Sequence, residues 1–405
     1  MQKAGSSLDA TTRVQKANTS DFSTSLVCFS HLRWGFVYQR PQHLLTRAVR
    51  DYRVFFVEEP VFETVGAARL DLSPQPSGVT VAVPVLPEGL DESAAEAAQR
   101  RLVDQLLSQV KGRSRILWYY TPMALGFTGH LEADLRVYDC MDELSAFRFA
   151  PPKLKDRERA LLARADLVFT GGQSLYEAKR GRHPHVHAFP SSIDARHFAR
   201  ARDRNGVEPE DQARIPHPRL GYFGVIDERM DLQLVAAMAE IRPDWHFVMI
   251  GPVVKIDQAT LPRRPNIHWL GGKRYEELPD YLAGWDIGLM PFAINESTRF
   301  ISPTKTPEFL AAGVPVVSTP IVDVVRAYGN AGLVEIAADA AGTVAKAEGL
   351  LSHPKAAWLA SVDRRLSGLS WDKTWDAMHA LMRDHLEQAD RSSSAAVQIP
   401  EAAHV

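Results

Sequence analysis

Two doubly wound α/β domains facing one another are what the sequence predicts, on three observations. Short apolar runs alternate with helical periods at the spacing of parallel βαβ units. The alternation breaks at a charged stretch, 199–214, and then restarts. The chain has 405 residues, which at roughly 100–200 residues per domain suits two domains.

In the first domain, Leu26–Phe29 is an apolar strand followed by a loop, His31 to Gln39. Pro41 opens a helix, Gln42 to Arg50, with Leu44, Leu45 and Ala48 at helical spacing. Strands follow at Arg53–Val57, Val79–Leu86, Arg115–Tyr119, Leu135–Tyr138, Leu167–Thr170 and Val186–Phe189. Helices are expected over Asp91–Val110, Leu154–Ala163 and Ser174–Arg180. After the linker, strands are expected at Leu220–Phe223, His246–Ile250, Ile267–Leu270, Ile287–Met290 and Val314–Val317. Helices fall at Leu232–Glu240, Leu278–Ala283, Thr306–Ala312, Ala341–Ser352 and Thr374–Glu387. The expected division is 21–198, a linker 199–214, 215–368, and a helix in 369–388 returning toward the first domain. Tails at 1–20 and 389–405 read as disordered from their polar and small-residue composition.

Composition excludes several classes. The formal net charge is -2, which argues against a whole-protein grip on nucleic acid. Two cysteines, Cys28 and Cys140, cannot build a disulfide framework or a Cys-based zinc site, so a reducing, cytoplasmic compartment is expected. Met1 to Asp21 lacks an apolar h-region, and no run of about 18 apolar residues occurs. Contact with a membrane is therefore expected to be peripheral at most, at its inner face. No phosphate-binding P-loop, no G-x-G-x-x-G after the first strand, no G-x-S-x-G and no D-x-D is present, so no metal and no cofactor are expected. His183, His185 and His187 alternate along one strand, best read as a partly solvated edge rather than a metal set.

The stretch that carries chemistry is 292–318, FAINESTRFISPTKTPEFLAAGVPVVS. Ser302-Pro303-Thr304-Lys305 sits at the start of a short helix, where free amides, the helix dipole and Lys305 favour an anion. Glu308, one turn on, can accept two hydrogen bonds from a ribose diol or serve only as a first-turn dipole residue.

This segment resembles the donor-binding loop and helix of GT-B-type retaining glycosyltransferases, group one or family four. Glu308 with Ala311, Ala312, Gly313, Pro315, Val316 and Val317 matches, and the resemblance implies Glu308 as ribose ligand. Gly221-Tyr222-Phe223-Gly224 is similar to the family's strand and glycine turn, and Arg229 best matches its diphosphate-binding cation. Pro190-Ser191-Ser192-Ile193-Asp194 and Ser370-Trp371-Asp372 are similar to its closing first-domain motif and its C-terminal helix. By the same resemblance, the region of Leu270 and Gly271 flanks the nucleobase, with backbone groups there placed to read the base edge; Lys273 either reaches phosphate or is a surface lysine. One position departs. Phe300 stands where the family has a first glutamate that contacts the transferred sugar. His31-Leu32-Arg33-Trp34, Gln39 to His43 and Tyr138 to Asp142 resemble a bacterial subgroup tied to cell-surface polysaccharide assembly.

On the first-domain side, the loop 31–39 interleaves arginine with aromatics. Trp34, Gly35 and Arg40 suit sugar stacking, close approach and phosphate pairing, or a loop folded on its own rings. Asp139 and Asp142 follow a strand end and suit orientation or deprotonation of an acceptor hydroxyl, or a helix cap. The expected function is metal-independent, retaining transfer of a sugar from a UDP- or GDP-type nucleotide sugar to a glycan or lipid-linked acceptor. Asp142, Arg229 and Lys305 act in the chemistry, and Glu308, Gly224, Thr304, Lys273, Leu270 and Gly271 hold the donor. Two alternatives stay open: a GT-B-fold nucleotide-sugar epimerase, and a catalytically impaired nucleotide-sugar-binding subunit.

Overall fold

The computed structural model describes residues 24–396, apart from 111, 113 and 204–207. The expected tail 1–20 and residues 397–405 lie outside the described residues.

The first domain is built on β1 Thr24–Phe29, β2 Arg53–Val57, β3 Val61–Glu63, β4 Arg69–Pro74, β5 Thr80–Pro87, β6 Ser114–Tyr119, β7 Leu135–Cys140, β8 Leu167–Thr170 and β9 Val186–Ala188. Their order is β3-β5-β2-β1-β6-β7-β8-β9, parallel throughout, with β4 pairing antiparallel to β5 at the edge. The central strands are apolar on both faces because both are covered: Leu26 and Cys28 enter one cluster, Val27 and Phe29 the other. Sequence periodicity missed β3 and β4. Both are short and largely exposed, and they exist by pairing with β5.

The second sheet runs β12-β11-β10-β13-β14-β15, with β10 Arg219–Phe223, β11 His246–Ile250, β12 Ile267–Gly271, β13 Ile287–Met290, β14 Val316–Ser318 and β15 Glu335–Ile336. The charged stretch 199–214 is anchored on this domain over its described part. Gln212 is fully buried, donating to the Tyr281 carbonyl at 2.9 Å and accepting the Trp285 indole at 2.7 Å. A further helix, Ala356–Leu366, packs Val362 and Leu366 on the second core and has no counterpart in the sequence reading.

The last helix, Trp371–Ala396, packs Trp371, Trp375, Met378 and Met382 into the first domain. It runs past residue 388, where composition had placed a disordered tail. Helix hydrogen bonding propagates cheaply once nucleated, and Glu387 and Arg391 pair at 3.1 Å on its last turns.

Candidate active site

Parallel strands of both sheets end at one cleft of about 570 Å³. Its first-domain wall comes from 34–40, Asp142, Gly171 and Ser191, its second-domain wall from 222–225, 250–252, 272–278, 301–305 and Glu308. Segments following strand ends meet across a crevice, the place where open α/β sheets bind ligands.

On the second-domain wall, β10 ends at Gly224, whose φ of +130° suits glycine. A Cβ there would overlap the side chain of Lys305, so the glycine is what lets Lys305 lie across the turn. Lys305 opens the helix Lys305–Ala311, with Thr304 at its cap position. The lysine has no ion pair among the described residues, and its ammonium sits 5.5 Å from the Tyr222 ring centre. Glu308, 6% exposed, faces the same cleft one turn on. Burial pushes Glu308 up from the usual carboxylate range and Lys305 down from the usual amine range, each opposed by the charge of the other.

Arg229 lines the cleft beside this pair. Its guanidinium is forked on Asp227, with Nη2 2.7 Å from Oδ2, and lies 5.2 Å from the Phe147 ring centre. Burial opposes its charge, but the Asp227 carboxylate outweighs that and holds it firmly protonated. Asp142 faces Arg229 from the first-domain wall. Burial raises its pKa, which Arg229 partly offsets. Asp227 and Phe147 are contributors that sequence reasoning missed. The acid two residues before Arg229 is the available signal for the first, whereas nothing local points to the second.

On the first-domain wall, Trp34 packs its ring on Phe56 with centroids 5.1 Å apart, and its amide donates to Glu58 at 2.7 Å. One edge still lines the cleft. At Gly35 a Cβ would meet nothing within 4 Å, so open cleft lies beside it. Arg40 reaches the cleft from below. Its Nε and Nη2 bond Asp139 at 2.9–3.1 Å and its Nη1 donates to the Phe189 carbonyl at 2.7 Å.

Three placements, those of Asp139, Leu270 and Gly271, correct the sequence reading. Asp139 is fully buried under Arg40 and does not line the cleft; it is the support of that arginine. Lys273 does line the cleft, with its ammonium held by Asp211 at 2.6 Å and lying over the Tyr281 ring. Leu270 packs on the second core, and the Gly271 carbonyl accepts the Gly251 amide. The cleft wall in this region is 272–278 instead. Tyr275 there was overlooked as a cross-domain residue: its ring stacks on Tyr38 at 4.5 Å and on His197 at 4.3 Å. Only the aromatic in each segment hinted at it. His183 is engaged locally, bonding the Ala165 carbonyl and accepting the His185 amide.

Comparison with known proteins fits this geometry. Residues 217–353 match the profile for glycosyl transferases group 1. A putative teichuronic acid biosynthesis glycosyltransferase, TuaH of Bacillus subtilis (strain 168), is 28% identical over 239 residues, 54% of this chain. The match spans 59% of that relative's length. Among solved structures, an E. coli trehalose-6-phosphate structure bound with UDP-2-fluoro glucose superposes with a TM-score of 0.65 at 13% identity, covering 89% of this chain and 99% of that one. An α,α-trehalose-phosphate synthase (UDP-forming) from Burkholderia xenovorans in complex with glucose-6-phosphate gives 0.66 at 13% identity, over 89% and 99%. At such identities the likeness is one of fold. Residues 217–353 are thus similar to a glycosyl transferases group 1 domain, and the chain as a whole shares the two-domain fold of these structural neighbours.

Proposed function

We propose that this protein transfers a sugar from a nucleotide-sugar donor to a hydroxyl acceptor in cell-surface glycan or glycolipid synthesis, without a metal and with retention of configuration. One observation carries the reading. Lys305 and Glu308 are brought one helical turn apart into the same cleft, a cation without an ion pair beside a buried carboxylate. A nucleoside diphosphate fits both, with diphosphate on Lys305 and ribose diol on Glu308. TuaH supports the surface-glycan setting. The UDP-2-fluoro glucose bound in one structural neighbour supports a UDP- or GDP-type donor.

Departure of the nucleoside diphosphate leaves charge on its distal phosphate. Lys305, Arg229 and the Thr304 and Lys305 amides face that charge and stabilise it, the kind of term that dominates many enzymes. Asp142, on the opposite wall, orients the attacking hydroxyl, and the leaving phosphate takes its proton. A glycan or lipid-linked acceptor enters along Trp34 and Gly35, and the enzyme works at the inner face of a membrane. Among the described residues no helix is long and apolar enough to cross a membrane.

Calorimetric titration with UDP and GDP, followed by nucleotide release from a panel of UDP- and GDP-sugars with and without EDTA, tests the proposal. Binding with EDTA-insensitive release is expected. Loss of release on chelation, restored by magnesium or manganese, refutes the metal-free chemistry. Binding without release favours the binding-subunit alternative.

A further inference from the structure

The donor loop is braced from the first domain. Phe300 stands where the group 1 pattern has its first glutamate, and its ring packs against the first-domain apolar cluster that contains Tyr138 and Leu175. Two residues on, Ser191 Oγ of the first domain donates to the Ser302 carbonyl at 2.6 Å. A Cβ added at Gly172 would lie 2.9 Å from the Ser302 Cβ and 2.5 Å from Asp323 Oδ2, so the walls close this far only over a glycine. Asp323, in the turn after β14, is buried and accepts the Ser174 amide with both oxygens at 3.0 and 3.2 Å.

We infer that these contacts form one clasp, and that Phe300, Ser191 and Asp323 are positioning residues for turnover. The first domain, closed on 300–302, sets the backbone from which Lys305 projects. This rests on Lys305 being the diphosphate cation. Pro303 restricts both its own φ and the backbone of Ser302, so little slack separates the held carbonyl from Lys305. The chain gives up a sugar-facing carboxylate at position 300 and gains an apolar anchor across the cleft. Glu308 lies further along the helix on second-domain packing, beside buried Phe309 and Leu310, so nucleoside binding does not need the clasp. Turnover does, because displacement of a reacting group by about 1 Å can cost roughly a hundredfold.

The test uses the full chain with Phe300→Ala, Ser191→Ala and Asp323→Asn. Melting temperature, affinity for UDP and GDP, and kcat and KM for nucleotide release from UDP- and GDP-sugars are measured on each. Each variant is expected to lose about tenfold or more in kcat while nucleotide affinity stays within about threefold, against the hundredfold scale of misplacement. The double variant Ser191→Ala/Phe300→Ala should lose less than the product of the singles, as parts of one unit do. Phe300→Leu should restore most of kcat. Unchanged kcat in all three overturns the inference, as does a parallel fall of kcat, affinity and melting temperature, which marks ordinary scaffold. A wild type that binds neither UDP nor GDP, or binds and never turns over, removes the parent reading and this one together. A wild type that binds and turns over beside equally active variants removes only the clasp.

Discussion

Lys305 and Glu308 sit in the same cleft, and burial moves both toward their neutral forms, Lys305 to about 8 and Glu308 to about 7. A diphosphate needs the ammonium and a ribose diol needs the carboxylate. Lys305 has a lowered pKa, so affinity is lost as pH rises through about 8. Glu308 has a raised pKa, so affinity is lost as pH falls through about 7. Titrations between about pH 5.5 and 9 should show strongest binding between those values, and a flat profile counts against the pair. Glu308→Gln should weaken nucleotide binding by about 1.5–3 kcal/mol and remove the acid limb. Arg229 is different, because Asp227 already neutralises it at 2.7 Å. Lys305→Ala should therefore depress kcat well beyond Arg229→Ala, each more than it weakens donor binding, since charge on the diphosphate grows in the transition state. Equal losses in steady-state assays of the two variants would refute that ranking.

Elements set how these side chains are presented. The loop between β1 and the helix Arg40–Ala48 is held by Arg33, whose guanidinium bonds Glu58 and the Pro60 carbonyl, and by the Trp34 amide on Glu58. That anchoring leaves Trp34 and Gly35 as a shaped wall. Asp142→Asn and Trp34→Ala should slow transfer to acceptor while nucleotide affinity stays nearly constant, because the residues proposed to hold the donor lie on the other wall. Measuring both quantities on the same variants decides it; a joint loss assigns the residues to the scaffold. Asp139→Asn is a contrasting case. Breaking a buried ion pair costs about 3–5 kcal/mol, so this variant should melt early before any kinetic effect is read. An unchanged melting temperature would mean the Arg40–Asp139 pair is dispensable.

At the scale of the molecule, the two halves are joined along an aromatic seam. His43 stacks on Trp371 at 4.6 Å and meets Tyr38 and Tyr275 edge-on, and the Tyr38, Tyr275 and His197 rings form a second stack across the cleft. Burial, with Arg47 and His197 nearby, lowers His43 to about 3, so it stays neutral and stacks without a charge to desolvate. Trp375 lies fully buried in the first-domain core and its indole donates to Asp51 at 3.1 Å. Trp375→Ala should cost about 3–5 kcal/mol by denaturant unfolding, the range for a buried aromatic truncated to a cavity. A loss below 1 kcal/mol would show the last helix to be only loosely docked.

The cleft-lining segment 302–308 was legible because its charged residues are contiguous. Lys305 and Glu308 are three residues apart on one helix, and helical geometry alone puts such residues on one face. The central strands were legible for a similar reason, since a parallel strand covered on both faces must be apolar along its length. Local pattern did not reach β3 and β4, which are strands only because β5 offers an edge. It also misassigned Asp139, whose spacing from a strand end equally suits a site residue and the buried partner of Arg40, 99 positions away. The Ser191–Ser302 bond spans 111 positions and the Ser174–Asp323 bonds span 149. Such pairs carry no periodic signature, because their separation reflects the path of the chain between domains rather than the repeat of any element. The sequence by itself determined the two sheets and the helix that opens at Lys305, through propensity and the burial of short apolar runs. Which charges are neutralised, which carboxylate is reachable and where Phe300 inserts were decided only by the tertiary structure, since each depends on groups that folding alone brings within a few ångströms.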